Sequence, residues 1–116
     1  DPDELFETQA GNLIRMYEAG VRVGFGTDGD GAAWDVHEEL FDMVAAGMTP
    51  ADVIVAATST SAEIMGLGDL GTVAVGKSAD FIVLDANPLD DILNTRRIAS
   101  VYLRGEAVDR DALRAR

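Results

Sequence analysis

Apolar residues recur at three- and four-residue intervals near the start of the chain. Phe6, Ala10, Leu13, Ile14 and Tyr17 make one helical face. Asp1 is placed to cap that helix, Pro2 suits its first position, and Glu4 completes an Asp-x-x-Glu capping box. Gly20 stands where the helix should stop. The pattern then changes. Val21-Arg22-Val23-Gly24-Phe25 is a short β-branched run that predicts a strand. Gly26-Thr27-Asp28-Gly29-Asp30-Gly31 is too rich in glycine for either regular structure. Helical spacing returns with Leu40, Phe41 and Val44 behind a second capping box, Asp35 and Glu38, and ends at Gly47. Thr49-Pro50 opens a third helix through Val53, Ile54 and Ala57, and a short fourth turn, Ser61 to Met65, ends at Gly66.

Beyond Gly66 the apolar runs shorten. Val73 to Val75, Phe81 to Leu84, Val101 to Leu103 and Ala107-Val108 are strand candidates, with turns at Gly76-Lys77, Asn87-Pro88 and Gly105-Glu106. Helix, strand, loop and helix is the grammar of an α/β layer structure. The sequence therefore divides near Gly68 into an α/β part and a mainly β part.

Composition narrows the class. With 47% hydrophobic and 26% charged residues, the 116-residue chain reads as one ordinary globular domain rather than a disordered one. No apolar run approaches the ~20 residues that span a bilayer, and nothing in the first residues reads as a signal peptide. The chain opens on Asp1-Pro2 without a Met, so a processed, trimmed or excised piece of something longer is expected. The absence of cysteine excludes disulfides and thiolate metal sites and suits a reducing cytoplasm. A net charge of -12 would repel nucleic-acid backbones and anionic membranes, which excludes both as partners.

Chemical promise is concentrated between Gly24 and Gly31. Gly24-Phe25-Gly26-Thr27-Asp28-Gly29 matches G-x-G-x-x-G, but Asp28 and Asp30 would face the anion that such a loop cradles, and no helix opens until about Val36. Asp28, Asp30 and Glu39 fall at positions one, three and twelve of a calcium loop. Ala33 stands where that loop needs its glycine. A third reading puts Asp28 at the C-terminal tip of a barrel strand, where a carboxylate can bind a metal, orient its water and act as general base. Set against this, Asp28 could simply cap the glycine turn. His37 is the sole histidine and cannot by itself build a zinc site; a structural or surface role is expected. Trp34 reads as packing and Lys77 as part of a turn.

Gly26-Thr27-Asp28 after a hydrophobic strand resembles the end of the eighth barrel strand of the amidohydrolase superfamily. His37-Glu38-Glu39-Leu40 through Met43 to Pro50 is similar to the helix pair that follows it there. Ala56-Ala57-Thr58, Ala62 to Leu67, Gly71-Thr72-Val73, Gly76 to Asp85, Asn87 to Ile92 and Val101 to Gly105 continue the match in order. The similarity spans about Gly20 to Arg110 and is greatest to imidazolonepropionase-like and prolidase-like members.

The resemblance implies the last strand and helices of a (β/α)8 TIM-type barrel in residues 1–68. Strands of a small β-sandwich domain of the composite urease-like kind would follow in 69–116. It implies one or two divalent metals, usually zinc, and hydrolysis of an amide, cyclic amide or dipeptide-type C–N bond. Asp28 would be metal ligand and general base, and Asp30, Trp34 and Asp35 would sit at the substrate rim. The superfamily's early histidine pair, its bridging lysine or carboxylate and its later histidines have no counterparts here. A full barrel also takes about 250 residues. The expected partners are therefore a missing N-terminal barrel segment or a second chain, besides a small-molecule substrate, and the isolated chain is expected to be inactive. A truncated, non-catalytic association module is the competing class. In it the apolar face around Val21, Val23 and Phe25 would drive self-association.

Overall fold

A Pro2–Glu18 helix, α1, starts where the sequence places it. The Asp1 carboxylate accepts from the Asp3 N–H at 3.1 Å, satisfying an amide that the first turn leaves without a partner. The computed structural model describes residues 1–28 and 35–114. After α1 come α2 (Asp35–Ala45), α3 (Pro50–Val55), a π turn (Ala56–Thr60) and α4 (Ser61–Ile64). Then follow strand β1 (Phe81–Leu84), a 3-10 turn (Ile92–Arg96), strands β2 (Ile98–Leu103) and β3 (Glu106–Ala107), and α5 (Arg110–Arg114).

Residues 50–64 run as one continuous helical column rather than a helix and a separate turn. Thr49 caps it, its hydroxyl accepting from the Asp52 N–H at 3.2 Å, and Pro50 occupies the first turn. Its end is a Schellman closure: Gly66 N–H donates to Glu63 O and Leu67 N–H to Ala62 O, with Gly66 at φ 73.

Strands β1, β2 and β3 form a three-stranded antiparallel sheet in that order. Phe81 pairs with Tyr102 and Val83 with Ser100, and the Phe81 and Tyr102 rings stack with centroids 4.7 Å apart. Leu103 and Glu106 face each other across a two-residue turn in which Arg104 and Gly105 both have positive φ, as a tight hairpin demands.

Two expected strands are not formed. Residues 21–27 belong to no ladder, and no partner strand lies beside them among the described residues. Val73 to Val75 likewise pairs with nothing described; Val73 is 80% exposed and Val75 106%. A strand exists only as one side of a hydrogen-bonded pair, and β-branched spacing cannot supply the other side. The last expected strand, Ala107-Val108, is shifted by one residue to Glu106–Ala107.

The core gathers Leu40 and Met43 from α2, then Met48, Val53, Ala56 and, from the 3-10 turn, Ile92. Leu13, Ile14 and Tyr17 of α1 pack on it, as the helical spacing predicts. Val23 and Phe25 also pack on it, so of the expected exposed face only Val21 is largely open to solvent. No described helix is long and apolar enough to cross a membrane.

Gly71 closes the junction between the helical column and the sheet. Its φ is 90, and a Cβ there would lie 2.7 Å from Ala62 Cβ and 2.8 Å from the Thr58 carbonyl oxygen. Gly76 has a similar φ, 83, but open space around it. Gly71→Ala should therefore cost roughly 2–5 kcal/mol, combining backbone strain with overpacking, and Gly76→Ala only about 1–2 kcal/mol. Chemical denaturation of the two variants in the intact protein checks the difference. Equal losses would mean that the close approach at Gly71 is not maintained.

Candidate active site

The site begins with a segment that needs support. Residues 21–27 carry backbone amides but no ladder, and each buried N–H must find an acceptor elsewhere. The helical column supplies one. Phe25 N–H donates to Ser61 Oγ at 2.9 Å, and Ser61 Oγ in turn donates to the Ala56 carbonyl at 2.6 Å. Arg22 Nη2 meets Glu63 Oε2 at 2.9 Å as an exposed ion pair. Gly24 lies so close to the column that a Cβ would sit 3.2 Å from Ile64 Cδ1.

Asp28 ends this clamped segment. Its φ is 49, in the left-handed region that non-glycine residues seldom occupy, and its side chain is exposed. Aspartate tolerates this conformation better than most residues, and such backbone strain gathers at functional sites. The turn here thus presents a carboxylate at the end of an extended run.

Asp35 is half-buried in the first turn of α2 and is itself helical, where the sequence places it as the cap ahead of a helix from about Val36. Asp30 and Trp34 lie outside the described residues, as do the glycines at 29 and 31 of the G-x-G-x-x-G reading. Glu39 lines a groove of about 260 Å³ between α1 and α2, beside Leu13 and Met43. Burial, and after it the neighbouring Asp42 carboxylate, raises the pKa of Glu39. Lys77 belongs to a turn, its ammonium donating to the Gly68 carbonyl. Cavities of about 350 Å³ against the 3-10 turn and about 330 Å³ beside Val21 and Asp52 also open at the surface. Asp28 lines none of these three spaces.

His37 meets the 3-10 turn. Thr95 Oγ1 is buried and donates its one hydrogen to the Ile92 carbonyl at 2.9 Å, so it can only accept from His37. His37 Nδ1 therefore carries the proton in the 2.9 Å bond between them, and Nε2 carries the lone pair. Desolvation, and then the Arg96 guanidinium, lowers the His37 pKa. Arg96 itself reaches Glu38 at 3.4 Å, so two neighbouring contacts tie the start of α2 to the 3-10 turn.

Among the described residues no group of three or more His, Cys, Asp or Glu side chains surrounds a common point. Asp28 is one carboxylate, and a zinc site needs about three protein ligands. The described residues thus do not fit a metal centre by themselves. Sequence reasoning missed Ser61, Glu63, Thr95 and Arg96. The run Thr58-Ser59-Thr60-Ser61 was a legible warning, since hydroxyl side chains within a helix compete for backbone partners.

Comparison with known proteins gives a consistent picture. A sequence model of the amidohydrolase family matches residues 1–108. A 5-methylthioadenosine/S-adenosylhomocysteine deaminase from Desulforudis audaxviator is 40% identical over 87 residues, 65% of this chain and 20% of its own length. An adenine deaminase from Lactobacillus delbrueckii is 49% identical over 59 residues, 51% of this chain and 9% of its own. Among solved structures, phenylurea hydrolase B superposes with a TM-score of 0.82 at 35% identity, covering 94% of this chain and 28% of that one. A Xaa-Pro dipeptidase with bound methionine in its active site gives 0.79 at 31% identity, covering 85% and 25%. The chain thus spans between a tenth and three-tenths of the length of these relatives.

The histidine contact predicts a pH dependence. A folded-state pKa below the ordinary 6.5 favours the neutral ring in the folded protein. Its stabilising contribution is then complete above about pH 6.5, and is lost as pH falls through the depressed folded value. Denaturant unfolding of the intact protein, compared with His37→Gln, should show a difference in stability that shrinks between neutral and mildly acidic pH. A difference that grows on acidification would reverse the sign assigned here.

Proposed function

Because the chain belongs to the amidohydrolase family, we propose that it serves the hydrolysis of a carbon–nitrogen bond within a longer polypeptide, with Asp28 as the carboxylate that accepts the proton of the attacking water. The observation that carries this reading is the strained backbone at Asp28, φ 49, at the end of a segment clamped to a helical column. A general base must be held within hydrogen-bond reach of the water it deprotonates, and a rigid support makes that reach reproducible.

In this reading water adds to the electrophilic carbon as its proton passes to the Asp28 carboxylate. The same proton is then given to the departing nitrogen, so that a C–O bond replaces the C–N bond and the carboxylate is regenerated. A divalent metal, zinc in this proposal and one or two in number, would supply Lewis acidity. Apart from Asp28, its ligands would come from residues outside the described chain. Asp30, Trp34 and Asp35 would form the substrate rim.

The relatives set the substrate class only broadly. Those named above are called deaminases, a phenylurea hydrolase and a dipeptidase. What these names share is nitrogen on a trigonal carbon, and an amide, cyclic amide or dipeptide-type bond fits that description. Residues 1–68 would complete a (β/α)8 barrel, and residues 69–116 a small β domain. The missing segments would cover Val21 and the exposed Val73 to Val75. The cysteine-free chain suits the cytoplasm.

Two measurements test the proposal. In the intact protein, assayed on a panel of Xaa-Pro dipeptides, N-acyl amino acids, cyclic ureides and adenine derivatives, Asp28→Asn should lower kcat by about 10²- to 10⁴-fold. The 116-residue chain alone should give no turnover. Activity of Asp28→Asn within a few-fold of the parent would remove Asp28 from the chemistry. Turnover by the isolated chain would show that no further ligands are needed.

A further inference from the structure

We propose that Ser61 is a positioning residue for Asp28, acting through the backbone amide of Phe25; the proposal rests on the role given to Asp28 above. Phe25 is three residues before Asp28, in a segment that no described strand supports. Its N–H finds its acceptor in Ser61 Oγ at 2.9 Å. That bond ties the segment to the helical column three residues before Asp28.

The acceptor is itself held. A hydroxyl has one hydrogen, and that of Ser61 goes to the Ala56 carbonyl at 2.6 Å, which turns a lone pair toward Phe25. Ala56 is five residues back, and the Ser61 N–H also donates to its carbonyl, which is the spacing of a π turn. Thr58 and Ser59 use their hydroxyls on carbonyls four residues back, at 2.7 and 3.5 Å, inside the column. The widened turn sets Ser61 apart from them. Gly24 lets the segment approach closely enough, since a Cβ there would be 3.4 Å from Ser61 Oγ. The exposed Arg22–Glu63 pair is screened by solvent and cannot replace the bond.

Geometry sets the consequence. Three residues reach at most about 10 Å, so a rotation of roughly 10° at Phe25 moves the Asp28 carboxylate by up to 1–2 Å. A displacement of that size is enough to cost on the order of 100-fold in rate when the displaced group must meet a reacting atom.

The test uses the intact protein with Ser61→Ala, Ser61→Thr and Asp28→Asn, each first shown to be folded by circular dichroism. Ser61→Ala should lower kcat about tenfold or more with KM within about twofold, and should speed hydrogen exchange at the Phe25 amide. Ser61→Thr keeps the hydroxyl and should restore both toward the parent. A merely structural role would lower the melting temperature and leave kcat of the folded enzyme in place. The proposal is overturned if folded Ser61→Ala keeps kcat within twofold, or if Ser61→Thr fails as badly as Ser61→Ala. Asp28→Asn separates the two ideas. If it stays active the Asp28 role has failed, and faster exchange at Phe25 in Ser61→Ala would then report only a backbone contact. If it is inactive while Ser61→Ala is unaffected, the positioning idea alone has failed.

Discussion

A single widened turn of helix holds the molecule's two irregular segments in place. At Ala56–Thr60 the column opens enough for Ser61 to bond the carbonyl of Ala56 while accepting from the Phe25 amide. The same stretch presents Thr58 O, Ser59 Cα and Ala62 Cβ to Gly71 at 3.0 Å or less from where a side chain would begin. One face of the turn therefore seats the segment that leads to Asp28, and another seats the chain entering the sheet. A regular α-helix would spend the Ala56 carbonyl one residue earlier and turn Ser61 to a different angle. Local irregularity is the cost of serving both neighbours, and irregular helical turns of this kind recur at functional sites.

The core explains why the turn can bear this load. Ala56, its first residue, is buried with Val53, Leu40, Met43, Met48 and Ile92. Val53 is fully enclosed. Close-packed surroundings transmit displacement rather than absorb it, so whatever fixes the column also fixes what is bonded to it. At the start of α2, the His37–Thr95 and Glu38–Arg96 contacts perform the matching task. Asp28 is thereby tied to the helical column through Phe25, and Asp35 lies on a helix tied to the 3-10 turn.

What the sequence disclosed depended on whether a signal was local. The caps at Asp1 and Thr49 and the stops at Gly20, Gly47 and Gly66 were readable because each feature is decided within a few residues, and the turn expected at Gly105-Glu106 lies one residue earlier, at Arg104-Gly105. Phe81 to Leu84 and Val101 to Leu103 were also legible as strands, from β-branched and aromatic runs beside turn residues, although which strand each pairs with was not. Val21 to Phe25 and Val73 to Val75 carry the same kind of run without a described partner, and the difference lies outside the runs themselves. The 3-10 turn and α5 had no periodic signal, being too short to show one. For the site, Asp28 came from family resemblance, and its strained φ from the structure alone. Ser61 and Thr95 meet partners 36 and 58 residues away, a distance over which periodicity is silent.

The fit at Gly71 also limits how the two layers can move. With no side chain, its backbone sits in a notch between Ala62 Cβ and the Thr58 carbonyl. Sliding the chain at Gly71 along the helical axis would drive that backbone over one of these walls, whereas tilting about the notch would not. Shear at that point is thus resisted, while bending about it meets no such wall. Ser61 stands between Thr58 and Ala62 in the chain, so the Gly71 notch and the Phe25–Ser61 bond share one short stretch of the column, and what displaces one reaches the other.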